Sequence, residues 1–268
     1  MKKRQIKTGI IGCGNIGEQL MLFLGKHPAY KVCTLTDVDN EKAIAFQKKF
    51  HRKRPAIVSM EESLAKNQLI IESAGRNAVM QILKCKNLDR YKRTILFMSS
   101  GGLIHSLNKI SSLKNTEVVI PSGAIAGLDA IKAVSGEIDA LQLTTTKSWK
   151  SLSSAIFVVR NSISLHNLRK PKTIFDGELK EAIKGFPENI NVAASLFLAS
   201  KFEKLKIKII AHPTAVFNTH EIICKGKFGT IHTKTENRPS NNPKTSQLAI
   251  LSAISMLKSK VENFHVGS

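Results

Sequence analysis

The chain has 268 residues, 42% hydrophobic and 23% charged, the proportions of a globular protein long enough for one large core or two smaller ones. No apolar run approaches the roughly 20 residues that span a bilayer, and MKKRQIKTGI lacks the apolar region of a signal peptide, so a cytoplasmic protein without a membrane partner is expected. A formal charge of +21 would suit a polyanion, but the basic residues are spread over KKRQIK, KKFHRKR and KFEKLKIK, with no basic tail and no row of aromatics; nucleic acid is not expected as the main partner.

IKTGII (6–11) reads as a short strand that stops at GCGNIG (12–17) and gives way to helical spacing in EQLMLFLGK. YKVCTLTD follows as a strand ending at Asp37, then the helix EKAIAFQKKF, the strand LIIES, the helix NAVMQILKC, the strand TILFMSS, a further helix and the strand EVVIP. Strands alternating with helices of this length predict βαβ units and a parallel sheet over residues 1–121. After PSGAIAGLDAIKA the pattern changes. IDALQLTTTK, KIKIIAHP, THEIICKG and FGTIHTKTEN read as longer strands, with GKFG as a hairpin turn between the last two. KEAIKGFPENINVAASLFLASKF supplies one or two helices among them, and PKTSQLAILSAISMLKS predicts an amphipathic helix after a proline start. The expected fold is therefore α/β: an N-terminal Rossmann domain at 1–121 and a C-terminal α+β domain with an open mixed sheet at 122–241. The terminal helix, 242–268, is expected to pack back on the first domain.

Gly12, Gly14 and Gly17 form GxGxxG between a strand and a helix, and Asp37 ends the next strand twenty residues after Gly17. Together these are the dinucleotide fingerprint: Gly12 for the tight turn, Gly14 for close approach of the backbone to the pyrophosphate, and Gly17 for helix–strand packing. The first helical turn, with Asn15 and Ile16, presents N–H groups to the anion. Asp37 suits the ribose hydroxyls and repels a 2′-phosphate, as does Asp39, which favours NAD; Lys42 and the basic surface leave NADP open. Three loops follow later strands, ESAGRNAV (72–79), MSSGGL (98–103) and IPSGAIAGLD (120–129), where the ligand crevice of such a sheet lies. They place Ala74, Gly75 and Ser99 against the cofactor and make Ser122 a substrate ligand. The four cysteines are scattered without a CxxC pair, and the histidines have no partner spacing, so neither a disulfide framework nor a metal is expected. His220, in AVFNTHEIICKGKFG, reads on its own either as a packed core histidine or as a titratable group aimed at a substrate.

GCGNIG, IPSGAIAGLDAIKA, FPENINVAASLFLA, NTHEI with G-x-F-G after it, and NPKTSQLA resemble, in order and separation, the L-aspartate dehydrogenase family over nearly the whole chain. The resemblance implies oxidation of L-aspartate to iminoaspartate with NAD or NADP, feeding NAD biosynthesis, in a homodimer or larger assembly. It implies His220 as catalytic acid/base, and Ala124 with Asn191 or Asn189 as cofactor contacts. Two substrate carboxylates call for cationic or hydroxyl partners. Lys244 and Thr245 of NPKTS are read in that role, with Asn218 as a further substrate contact and Lys147 as a further candidate. The chain departs from the family in AHP, which puts His212 before the proline, in TTTKSWKSL, and in ESAG. Rival readings are a homoserine dehydrogenase-like or dihydrodipicolinate reductase-like enzyme, or a protein that binds NAD without chemistry.

Overall fold

The computed structural model describes residues 5–50, 54–187, 190–238 and 246–266. The chain divides into two compact units, Met1–Pro121 with Ala253–Phe264, and Ser122–Ser252 with the last four residues.

The first unit holds a six-stranded parallel sheet in the order β3-β2-β1-β4-β5-β6. Its strands are β1 (Ile6–Ile11), β2 (Tyr30–Thr36), β3 (Ala56–Ile57), β4 (Leu69–Glu72), β5 (Arg93–Phe97) and β6 (Thr116–Val119). Between them run α1 (Asn15–Lys26), α2 (Asn40–Gln47), α3 (Met60–Lys66), α4 (Arg76–Lys84) and the short α5 (Leu107–Ser111). Every residue of β4 and β5 is buried, as expected of central strands covered on both faces, which explains why they read as continuous apolar runs. Strand order reverses between β1 and β4, the switch point at which doubly wound sheets bind nucleotides. The helix anticipated before β6 is mostly two 3-10 turns followed by α5, and the two-residue β3 was not anticipated at all.

The second unit holds a five-stranded mixed sheet in the order β11-β10-β7-β9-β8. β7 (Ile138–Ser148) runs parallel to β9 (Lys206–His212); β8 (Lys172–Glu178), β10 (Asn218–Gly226) and β11 (Gly229–Asn237) pair antiparallel with their neighbours. Gly226 and Gly229 close the β10–β11 hairpin, as GKFG predicts. β8 was missed because KTIFDGE has weak alternation and its register shifts between Thr173 and Phe175. The helices are α6 (Leu128–Ala133), α7 (Trp149–Leu152), α8 (Ile156–Arg160), α9 (Leu179–Gly185) and α10 (Asn191–Ser200). Phe157, Phe175 and Phe186 pack as a mutual aromatic cluster, and α10 packs on α6.

α11 (Gln247–Ser259) is the terminal helix; residues 239–245 before it lie outside the described residues. Within the first unit the Tyr30 hydroxyl donates to the Leu257 carbonyl at 2.5 Å, and Lys260 pairs with Glu117 at 2.9 Å. Among the described residues no helix is long and apolar enough to cross a membrane.

Candidate active site

The glycine turn sits at the carboxyl end of β1. Gly12 has φ +101°, and a Cβ there would stand 2.6 Å from the Ala74 amide nitrogen. A Cβ on Gly17 would stand 2.1 Å from the Gly12 carbonyl, so this glycine is required by the turn's own packing. Gly14 differs: nothing lies within 4 Å of a Cβ placed on it. The protein therefore leaves open the side on which a phosphate would approach. Gly14 also caps α1 without a side-chain hydrogen bond, so no side chain competes with an anion for that helix end. These features fit a dinucleotide. Asn15, Ile16 and Gly17 form the first turn of α1.

Asp37 follows β2 and folds back on the turn. Its Oδ2 accepts from the Cys13 amide at 2.7 Å and its Oδ1 from the Asp39 amide at 3.0 Å. The carboxylate is thus oriented by two backbone donors and keeps lone pairs for a ribose. Asp39 has a second duty, as N-cap of α2 through Lys42 N at 3.0 Å. Cys13 is buried beside Asp37, and burial, then that carboxylate, push its thiol up to about 12. It is an inert packing residue of the turn.

Sequence reasoning missed Glu72, the last residue of β4. It is fully buried, and its Oε1 accepts from the amides of Ala74 and Gly75, each at 2.8 Å, and from the Ser99 hydroxyl at 3.0 Å. Oε2 accepts from the Ser99 amide at 3.1 Å. The three residues read as cofactor contacts on these loops are therefore brought together by one carboxylate, and these donors are committed to it. Burial raises the Glu72 pKa; hydrogen bonds from Gly75, Ser99 and Ala74 oppose that rise.

In the second unit the inner face of the sheet is apolar toward one end, with Leu141, Leu143, Ile207, Ile209, Ile222 and Cys224, and polar toward the other. The polar end carries Thr145 and Lys147 of β7, Asn218 and His220 of β10, and Thr235 and Asn237 of β11. Alternation puts them on one face, and the register sets His220 opposite both Thr145 and Thr235, with Asn218 opposite Asn237. His220 is 4% exposed; its Nδ1 lies 3.0 Å from Thr145 Oγ1. Lys147 is 6% exposed. Burial, then the Lys147 charge, lowers the His220 pKa to about 3, well below the ordinary imidazole value. Burial lowers the Lys147 pKa to about 8.

The PSGA loop is fastened to this end of the sheet. The Ala124 carbonyl accepts from Thr235 Oγ1 at 2.8 Å and Asn237 Nδ2 at 2.9 Å, and the Gly123 amide donates to Ser252 Oγ at 3.0 Å. Ala124 is buried, while Ser122 beside it is exposed. Asn218 is buried, and its backbone carbonyl accepts from Asn237 Nδ2 at 3.4 Å. Glu221 lies on the opposite face and pairs with His232 at 2.7 Å, as alternation predicts. Asn191 opens α10, exposed to solvent. Asn189, Lys244 and Thr245 lie outside the described residues. Thr145, Thr235 and Asn237 went unnoticed in the sequence. The available signal was that IDALQLTTTK continues its buried parity from Leu141 and Leu143 into Thr145 and Lys147.

A family model described as aspartate dehydrogenase, C-terminal, matches residues 129–260. An L-aspartate dehydrogenase from Methanocella arvoryzae is 36% identical over 98% of this chain and 99% of its own length. One from Nitrosopumilus maritimus is 39% identical over 94% of this chain and 95% of its own. Among solved structures, an aspartate dehydrogenase from Thermotoga maritima superposes with a TM-score of 0.73 at 23% identity, covering 98% of this chain and 100% of that one. A scyllo-inositol dehydrogenase from Lactobacillus casei with bound NAD(H) shares the fold at a TM-score of 0.54 and 14% identity, over 98% of this chain and 91% of that one.

Proposed function

The chain belongs to the L-aspartate dehydrogenase family, and we infer from this and from its site geometry how it oxidises L-aspartate to iminoaspartate with a nicotinamide dinucleotide. The observation that carries the reading is the buried polar end of the second sheet, where an imidazole, a hydroxyl, an amide and an ammonium share one face. Burying such groups is costly unless each meets a hydrogen-bonding partner, and a dicarboxylate at this face would supply acceptors for the donors gathered there. The imine product would feed nicotinamide-dinucleotide synthesis, and a dimeric cytoplasmic enzyme completes the proposal.

The bound dinucleotide supplies the hydride acceptor. In the first unit Gly14, with Asn15, Ile16 and Gly17, would hold its pyrophosphate, and Asp37 its adenosine ribose. NAD is the proposed cofactor, since an acidic residue just after the second strand, here Asp37, suits the ribose hydroxyls and repels a 2′-phosphate. Ala74, Gly75 and Ser99, with Ala124 and Asn191, are proposed along the rest of the cofactor; Asn189 is proposed on sequence grounds alone.

His220 is the proposed acid/base. When its Nδ1–H donates to Thr145 Oγ1, the lone pair of Nε2 is left to take a proton from the substrate ammonium. The low basicity of His220 has a cause that substrate would remove. Lys147 is the second contributor to it, and a dicarboxylate that pairs with Lys147 cancels that field. The imidazole then becomes the better base once aspartate is in place. Lys147 and Asn218 are the proposed carboxylate partners, with Ser122; Lys244 and Thr245 are retained on sequence grounds.

The test is a spectrophotometric assay of nicotinamide reduction with L-aspartate, run with both NAD and NADP, and in reverse with oxaloacetate and ammonia. Aspartate-dependent reduction that is faster with NAD supports the reading. Turnover of homoserine or of dihydrodipicolinate in place of aspartate would transfer the assignment to those rivals.

A further inference from the structure

Glu72 presents a buried carboxylate for which the proposed chemistry has no use. All four groups that bond its oxygens are neutral donors, three amide N–H groups and one hydroxyl. Burial and these same hydrogen bonds are what displace its titration. Four donors converging on two oxygens suit an ionised carboxylate, because a protonated one gives up acceptor capacity to become a donor. The side chain thus does two things. It locks the Ala74–Gly75 turn, where Gly75 has φ +110°, to Ser99 on the neighbouring loop. Ionised, as that donor set favours against the pull of burial, it would also place a negative charge beneath the loops that follow β4 and β5 at the carboxyl edge of the sheet.

We propose that Glu72 is a positioning residue that shapes these two loops against the nicotinamide end of the dinucleotide and, through its charge, favours the cationic oxidised cofactor over the neutral reduced one. The proposal rests on reading Ala74, Gly75 and Ser99 as cofactor-facing. An unscreened charge in a low-dielectric surrounding acts over several ångströms, whereas the brace acts on both cofactor forms alike. The two effects can therefore be separated by comparing the forms.

The experiment measures dissociation constants of NAD+ by calorimetry and NADH by fluorescence for the full-length protein, Glu72→Gln and Ser99→Ala. A glutamine can keep its carbonyl at the three-donor position, so only the Ser99 amide faces a wrong partner. Expected in Glu72→Gln is a rise in the NAD+ constant of about tenfold or more, with the NADH constant rising less than about threefold. Ser99→Ala loses a hydroxyl but no charge, and should weaken both forms by a similar factor. Equal changes for both forms in Glu72→Gln overturn the proposal. A ratio altered about tenfold in Ser99→Ala overturns it too, and that arm stands even where the Glu72 variant does not fold. Failure of the unaltered protein to bind either form would instead sink the cofactor reading.

Discussion

Thr145 and His220 sit directly opposite one another in the β7–β10 ladder, with Thr145 Oγ1 3.0 Å from His220 Nδ1. Seventy-five residues separate them along the chain, and the ladder holds both backbones, so the hydroxyl fixes the ring without help from a flexible loop. In the tautomer that serves as a base, the hydroxyl accepts from Nδ1 and the opposite nitrogen is left for substrate.

Removing the imidazole should abolish proton transfer but not nucleotide binding. His220→Ala is expected to lower kcat by about 100-fold or more, the usual contribution of a general acid/base, with the NAD dissociation constant unchanged. Thr145→Val keeps the ring and loses its orienting hydroxyl; a fall of about tenfold in kcat with little change in KM is expected. Steady-state kinetics beside calorimetry check both, and normal turnover in His220→Ala would remove the assigned role.

Two glycines of the same turn should fail differently. Gly14→Ala meets no protein atom within 4 Å, so the variant should melt like the parent yet bind dinucleotide at least about tenfold more weakly. Gly17→Ala drives a methyl to 2.1 Å from the Gly12 carbonyl and should destabilise the first unit by about 1–3 kcal/mol. Thermal melts paired with NADH titration separate the two.

Asp37 both braces the glycine turn and faces the proposed ribose site. Asp37→Asn retains an acceptor for the Cys13 amide while losing the charge, which makes it a cleaner probe than alanine. The ratio of kcat/KM for NADP to that for NAD should rise by about tenfold or more, as relief of like-charge repulsion predicts. An unchanged ratio would place cofactor choice elsewhere.

Lys147→Met preserves the length and apolar stem of the side chain and deletes its charge. The expected result is a KM for aspartate about 10- to 100-fold higher with the NAD constant unaltered, the loss of one charge-assisted bond. In the parent the same KM should climb as pH rises past about 8, where the buried ammonium gives up its proton, and this limb should be absent from the variant.

His220 should also leave a mark on stability. Its pKa is lowered from 6.5 to about 3 in the folded chain, so the unfolded chain takes up a proton first as pH falls. The stability tied to the neutral ring is therefore complete above about 6.5 and is lost through the window down to about 3, at up to about 1.4 kcal/mol per pH unit. Urea midpoints between pH 7.5 and 5 should fall more steeply for the parent than for His220→Gln. Parallel slopes would show that the ring is not held neutral.

What could be read in the sequence is what local physics fixes. The turn from Gly12 to Gly17 declares itself because backbone strain and close packing admit only glycine at its two ends, and Asp37 sits one strand further on. The buried runs of β4 and β5 and the alternation of β7 and β10 follow from which faces must leave water, so the parallel sheet and the hairpin were legible. β8 was not, since an Asp-Gly pair and a register shift break its pattern. The tertiary structure alone decided the electrostatics of the candidate site. Lys147 and His220 share a buried face only through the pairing of β7 with β10, and no spacing in one dimension encodes that register or the loss of water that displaces both pKa values. Glu72 likewise read as the end of a strand; its carboxylate acquired four donors only when its own loop and that of Ser99, 27 residues further on, folded over it.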